Sequence, residues 1–314
     1  MQKQQTILKR GLQLLGVIGF VLIMIAIAQS FIGKAEGISN QHLTSPVDDR
    51  FEVQKVFAPE LPTDVNFCGE VIDLSDIEIS ERLDRELVVN SFLHSSTILI
   101  LKKSNRYFPI IEKILLQEGV PDDMKYLCVA ESGLSQVVSP AGAAGFWQFM
   151  KTTAPAYSLY IDNEIDERYN IEKATYAACK YLKEAKAKFG SWSLAAAAYN
   201  AGNNGIMKQI NFQNQTSYYD LFLNEETSRY IFRIIALKYI IENPKLYGFH
   251  LKDEQLYAPL EVRRYTVSQN NIDWVEYANR NDISYKTLRY YNPQIRSSTW
   301  ANIKNQQIEI LLPK

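Results

Sequence analysis

The chain has 314 residues, 46% of them apolar, with 34 Lys and Arg against 35 Asp and Glu. That length holds one sizeable core and a smaller module, and a net charge of −1 excludes a nucleic-acid partner gripped by a basic surface. Cys68, Cys128 and Cys179 lack metal-site spacing, and His42, His94 and His250 are scattered, so neither a metal site nor a Ser-His triad is indicated. Cys128 and Cys179 fall in apolar helical patterns and read as buried small hydrophobes; a disulfide between them is left open.

At the N-terminus, Lys3, Lys9 and Arg10 precede an uncharged stretch from Gly11 to Gly33. Residues 1–33 therefore read as a signal peptide, with Ala26-Ile27-Ala28 as a small-residue cleavage site, or as a retained membrane anchor, since about 20 apolar residues span a bilayer. Either way the positive flank sends the remainder outward, to an extracytoplasmic destination. Residues 34–80, with Pro46, Pro59 and Pro62 and no sustained period, read as a linker or loosely ordered arm.

Helical patterning starts near Ser80. Leu83, Leu87 and Ile98 to Leu101 predict one or two helices, and Ile110, Ile111, Ile114 and Leu115 form a face that stops at Gly119. Pro121 to Glu131 predicts a short helix, with Pro121 at its first position and Asp122 and Asp123 at the positive end of the dipole. Met124, Leu127, Cys128 and Glu131 recur at i, i+3, i+4 and i+7, so the acid continues an apolar stripe, and Ser132-Gly133 ends the helix. Desolvation beside that stripe and the negative helix end both favour the protonated carboxyl, the form a general acid needs. A solvated helix-end glutamate is the plain alternative.

Next come a Gly/Ala/Ser loop, Ser139 to Gly145, and the segment Phe146-Trp-Gln-Phe-Met150. Asn170 caps a helix carrying Ala174, Ala177, Ala178, Tyr181, Leu182 and Ala185 on one side and ended by Gly190. Leu194 to Ala198 is almost all alanine, which lets a neighbouring helix come close. A last amphipathic helix runs from near Glu225, through Tyr230, Ile234, Leu237 and Ile241, to Asn243-Pro244. No strand is expected between about 80 and 245, so residues 81–250 read as an all-α domain. Residues 260–314 read as a small βααβ module: strands at 261–267 and 308–312, and helices near Trp274 to Ala278 and Tyr285 to Tyr291.

Three clusters carry the chemistry: Ala130-Glu-Ser-Gly133, Gly142-Ala-Ala-Gly-Phe-Trp-Gln-Phe-Met150 and Ala198-Tyr-Asn-Ala-Gly202. In order and content they resemble the lytic transglycosylase family (soluble-transglycosylase-type domain, glycoside hydrolase family 23), over roughly residues 100 to 240. The Gly-Phe-Trp-Gln-Phe form is most similar to the membrane-bound D type. The resemblance implies a lysozyme-like fold with no cofactor. It makes Glu131 the acid/base and Ser132 the serine that follows it. Gln148 matches the family's motif glutamine, and Phe146 and Trp147 replace its commoner Leu-Met. Tyr199 and Asn200 match the cleft Tyr-Asn, whose tyrosine is thought to orient the acid. Glu226-Thr227, with Tyr230 one turn on, resembles a later Glu-Thr…Tyr motif. Ser132, Gln148, Trp147, Tyr199, Asn200 and Glu226 are thus the expected substrate-binding residues. Asp166-Glu-Arg168 reads as a scaffold ion pair.

The implied partner is the glycan strand of peptidoglycan, and the membrane too if the N-terminus is uncleaved. Most glycosidases pair two carboxylates, but no second acid recurs within the three clusters. In the family's reaction one glutamic acid protonates the bond between N-acetylmuramic acid and N-acetylglucosamine. It then takes the proton of the C6 hydroxyl as that oxygen closes a 1,6-anhydro ring. A lysozyme-type hydrolase, with Asp162, Glu164, Asp166 or Glu226 as second acid, and a non-catalytic wall-binding scaffold are the competing readings. Residues 260–314 resemble a LysM domain, a peptidoglycan and chitin binder. Tyr265-Thr-Val267, Ile283-Ser284, Leu288, Asn292-Pro293 and Ile308 to Pro313 fall in place, but the usual Gly-Asp-Thr-Leu of the first loop is replaced by Gln269-Asn-Asn-Ile272-Asp-Trp274.

Overall fold

The computed structural model describes residues 57–314; the expected signal or anchor and residues 34–56 of the expected arm lie outside the described residues. Ala58 to Lys314 form one unit that contains two hydrophobic cores.

The chain departs from the expected arm just before residue 80. Strands β1 (Val65–Phe67) and β2 (Glu70–Ile72) form an antiparallel hairpin whose Val65, Phe67 and Ile72 are buried in the main core. Its two-residue turn is Cys68-Gly69, at φ 55° and 80°. Both residues are left-handed, as a tight hairpin with native twist requires. Cysteine is an unusual first residue for such a turn, and three-residue strands are too short to show a period. Two tethers hold the hairpin: the Cys68 N–H donates to Asp123 Oδ2 at 2.6 Å, and Lys238 Nζ, itself paired with that oxygen at 2.9 Å, donates to Asn66 O at 3.2 Å.

Helix α1 (Ile77–Phe92) is capped by Asp76 and α2 (His94–Glu118) ends on left-handed Gly119. Then follow α3 (Met124–Ser132), α4 (Ile171–Phe189), α5 (Trp192–Ala201), α6 (Asn203–Gln213) and α7 (Glu225–Glu242). Side chains cap α4, α5 and α7 at their starts: Asn170, Ser191 and Asn224 accept backbone N–H bonds. Helix α7 is central, packed on α1, α3 and α5. Between α1 and α7, buried Glu86 receives Arg85 at 2.9 Å and Arg229 at 2.7 Å, with Arg233 at 3.7 Å. Cys128 and Cys179 are both buried free thiols.

The C-terminal module is the expected βααβ. Strand β3 (Val262–Val267) pairs antiparallel with β6 (Ile308–Pro313), Val262 opposite Pro313, around α8 (Trp274–Arg280) and α9 (Tyr285–Tyr291). The altered first loop adds a short pair, β4 (Ile272–Asp273) with β5 (Thr299–Trp300). Asp273 caps α8, and Trp274 stacks on Trp300 with both rings fully buried.

The helical domain enters this small core. Ile165 is fully buried among the module's apolar residues. Around it, Asp166 N–H donates to Gln294 O at 2.8 Å, Arg296 N–H to Glu164 O at 2.7 Å and Ala301 N–H to Glu164 Oε2 at 2.9 Å. Among the described residues no helix is long and apolar enough to cross a membrane.

Because Ile165 has no helix of its own to collapse into the gap, Ile165→Ala should cost about 2–4 kcal/mol. Chemical denaturation would measure it, and a loss below about 1 kcal/mol would show that Ile165 does not bear on the module's stability.

Candidate active site

The site begins with how α3 is buried. Met124, Leu127 and Cys128 are fully buried, as the stripe requires, but Lys125, Tyr126 and Val129 are buried as well. From Met124 to Val129 the helix is enclosed on nearly every side rather than along one face, while Ala130, Glu131 and Ser132 are half-buried. Glu131 is its penultimate residue, and left-handed Gly133 closes it by donating to Val129 O at 2.7 Å.

Two sequence expectations about this helix change. Regular helix starts at Met124, and Asp123 spends its carboxylate on Cys68 and Lys238 instead of its own helix end. At the other end Lys103 Nζ donates to Gly133 O at 3.1 Å, a cation placed where it offsets the negative dipole. Burial, not the dipole, therefore governs Glu131. Dehydration pushes its carboxyl up to about 7, a tendency opposed by the Tyr230 hydroxyl and Arg233 and reinforced by Glu226.

Tyr230, buried on α7, donates its hydroxyl to Glu131 Oε1. The resemblance assigned the orienting role to Tyr199, but Tyr199 points its hydroxyl elsewhere, to Trp147 O at 2.6 Å. The sequence did carry a signal for Tyr230, since it sits one turn beyond Glu226-Thr227 on the apolar face of α7; that face made it look like core. Burial and the nearby Glu131 charge hold both phenols well above their ordinary range, so both remain donors.

Helix α5 brings the third cluster in. Ala195 to Ala198 are fully buried, and their small side chains let α5 lie against α7. At its end Asn200 bridges to α7: Nδ2 donates to Glu226 Oε1 at 3.3 Å, and Oδ1 accepts from Thr227 Oγ1 at 2.8 Å. Glu131, Tyr199, Asn200, Glu226 and Tyr230 are thus one constellation.

The remaining expected residues differ in place. The Trp147 ring is fully buried, with Nε1 donating to Thr175 Oγ1 at 2.8 Å, so it cannot present a face to a sugar; its backbone carbonyl accepts the Tyr199 hydroxyl. Ser132 Oγ turns back to Cys128 O at 3.3 Å. Gln148 stands at φ 50° and its amide nitrogen donates to Gly145 O at 2.7 Å and Val137 O at 3.1 Å, making it a brace of its own loop.

That loop is held from below. Arg168, buried and paired with Asp166 at 2.7 Å, donates to Gly142 O at 2.9 Å and Phe149 O at 3.0 Å. Gly145 lies so close that a Cβ would sit 2.0 Å from Arg168 O, which explains the glycine. Of the other acids weighed as partners for Glu131, Asp162 and Glu164 bond to nearby backbone or to the C-terminal module, and Asp166 to Arg168. Among the described residues no group of three or more His, Cys, Asp or Glu side chains is placed to hold a metal ion.

Residues 109–222 match the family described as the Transglycosylase SLT domain, and residues 263–314 match the Soluble lytic transglycosylase C-terminal LysM-like domain. The chain carries an SLT domain and a LysM-like domain. It is similar to the membrane-bound lytic murein transglycosylase D of Escherichia coli strain K12, with 28% identity over 242 residues, 74% of this chain and 52% of that protein. The same-named protein of Escherichia coli O6:H1 gives the same values. The chain spans about half the length of the curated relatives it matches. The matched SLT segment contains Glu131, Gln148, Tyr199 and Asn200, while Glu226 and Tyr230 lie just beyond its end.

The raised carboxyl has a thermodynamic signature. Unfolded, Glu131 ionises near 4.5; folded, near 7. Its protonated form favours the folded state, so stability falls as pH rises through that window. Glu131→Gln removes the titration, and above pH 7.5 the variant should be more stable than the parent by on the order of 2–3 kcal/mol, with the difference vanishing near pH 4. Thermal melts across pH would check this; equal pH dependence in both proteins would show that the carboxyl is not dehydrated.

Proposed function

We propose that this protein is an envelope-facing peptidoglycan lytic transglycosylase in which Glu131 acts first as acid and then as base. The observation that carries the proposal is a single carboxyl, raised to about 7 by burial and held by a tyrosine hydroxyl, within an SLT domain. At neutral pH a substantial fraction of such a carboxyl is protonated and ready to donate.

In the proposed reaction Glu131 gives its proton to the glycosidic oxygen between N-acetylmuramic acid and N-acetylglucosamine as the bond to muramyl C1 breaks. The muramyl C6 hydroxyl oxygen then bonds to C1, and its proton passes to the Glu131 carboxylate, restoring the acid. No water is consumed, and a 1,6-anhydromuramyl end results. Attack from within the same sugar offers a high effective concentration and needs no second carboxylate to prepare a nucleophile. Tyr230 holds the carboxyl in one orientation and stabilises its ionised form between the two proton transfers. Asn200 offers a polar contact to the sugars, and Gln148 acts by fixing its loop.

Glu226 is the one acid of the constellation that supports a hydrolytic reading, since its charge reaches Glu131 and it bonds to Asn200. Product mass separates the two reactions. Muropeptides released from purified sacculi should be about 18 Da lighter than hydrolysis products, the mass of the unused water. Glu131→Gln should lower release at least about 100-fold. Full-mass reducing ends would make the enzyme a hydrolase, and undiminished release by the variant would remove Glu131 from the chemistry.

The LysM-like domain, on this proposal, adds affinity for the same glycan. The basic and apolar N-terminal sequence, together with the membrane-bound relatives, supports delivery to the cell envelope by a signal or anchor.

Tyr230→Phe gives a further test. Removing the phenol withdraws a donor that favours the carboxylate, so the Glu131 pKa should rise and the alkaline limb of the pH–rate profile should move to higher pH. Turnover at the optimum should fall about tenfold, because orientation is lost. An unmoved limb would mean that Tyr230 does not touch the working carboxyl.

A further inference from the structure

A cavity of about 400 Å³ opens where the LysM-like domain meets the helical domain, and neither domain forms it alone. Its size falls in the range of small-molecule sites, which favour domain junctions. Tyr107, Phe146 and Tyr169 line it from the helical side, and Tyr290 and Tyr291 from the other. None of Glu131, Tyr199, Asn200, Glu226 and Tyr230 is among its lining residues, so it is separate from the catalytic constellation.

Its charges are unevenly satisfied. Arg264 is saturated, bonding to Glu172 at 3.0 Å through Nη1 and to Glu309. Arg106 and Arg289 have no carboxylate within ion-pair distance among the described residues. Arg106 Nε donates to Ala258 O, and its Nη1 to the Tyr290 hydroxyl, both at 2.9 Å. Arg289 donates one bond, Nη1 to the Tyr285 hydroxyl at 2.8 Å, while its Nε is buried without a partner. A buried donor on a cation is costly to leave unpaired. Three arginines set against Glu172 and Glu309 leave the wall one positive charge in excess, which suits a monoanion better than a dianion.

We propose that this junction binds a carboxylate-bearing amino sugar, the muramyl residue of a glycan strand or fragment. Aromatic rings give its apolar face a surface to lie on, and a guanidinium matches a carboxylate with paired N–H donors. A neutral amino sugar would offer no anion to the Arg289 guanidinium at the cavity wall. The choice of ligand rests on the proposed envelope function, whereas the site itself rests on the cavity and its unpaired arginine.

The test uses the full chain carrying Glu131→Gln, titrated by NMR with N-acetylmuramic acid, with its neutral methyl amide and with inorganic phosphate. The amides of residues 289–291 and 309–311 should shift with the acid and saturate. Adding Arg289→Gln should weaken that response at least fivefold at an unchanged melting temperature, and Arg289→Lys should weaken it less. Adding Asn200→Ala, which alters only the catalytic constellation, should leave it intact. The methyl amide should bind the Arg289-bearing protein at least fivefold more weakly than the acid binds that same protein, and this comparison decides even if the Arg289→Gln variant fails to fold. Shifts confined to residues around Asn200, equal binding of acid and amide, or phosphate competing as well as the sugar acid would each overturn the proposal. Release of hydrolytic rather than anhydro products would sink the proposed function and leave this titration standing; failure of the titration alongside anhydro products would remove only the junction site.

Discussion

Everything at the site follows from one nine-residue helix whose first six residues are buried on nearly every side and whose last turn, bearing Glu131, is half-buried. Enclosure strips water from the Glu131 carboxyl and raises it to about 7, and it is obtained by packing α3 against α7, which supplies Tyr230 in return. The same packing draws Asp123 away from its own helix end to hold the hairpin turn and Lys238. A charged residue at the end of an exposed helix would be an ordinary acid, and the surrounding fold is what raises the pKa of this one.

The loop bearing Gln148 is governed from a different direction. Backbone bonds from the LysM-like domain reach Glu164 and Asp166; Asp166 fixes Arg168, and Arg168 fixes the carbonyls of Gly142 and Phe149. This chain of buried bonds makes the geometry of the loop depend on residues well outside the SLT domain.

Much of this was legible in the sequence, and the limits have physical causes. Helix stops and starts were readable because they rest on local chemistry: Gly119, Gly133 and Gly190 are left-handed as expected, and Asn170 caps its helix. The βααβ order was readable from period alone. The hairpin at 65–72 was not, because its strands are three residues each and its turn uses cysteine. Glu131 stood out through its place on an apolar stripe, but the stripe understated its burial. Trp147 was misplaced because a tryptophan beside a glycine-rich loop reads alike whether its ring faces solvent or core; only the bond to Thr175 distinguishes them. Tyr230 was hidden by the opposite ambiguity, a hydroxyl that bonds Glu131 on a residue that otherwise belongs to the core.

The burial of Ile165 inside the LysM-like core bears on how the two domains can be taken apart. Cutting the chain between them would expose an isoleucine and strand the backbone groups of residues 164–166, which the C-terminal domain now satisfies. The SLT portion would lose part of its own foundation along with any glycan affinity. Weakened activity in such a truncated protein would therefore not measure what the LysM-like domain binds, and the domain cannot be exchanged for another unless its replacement also accommodates this side chain.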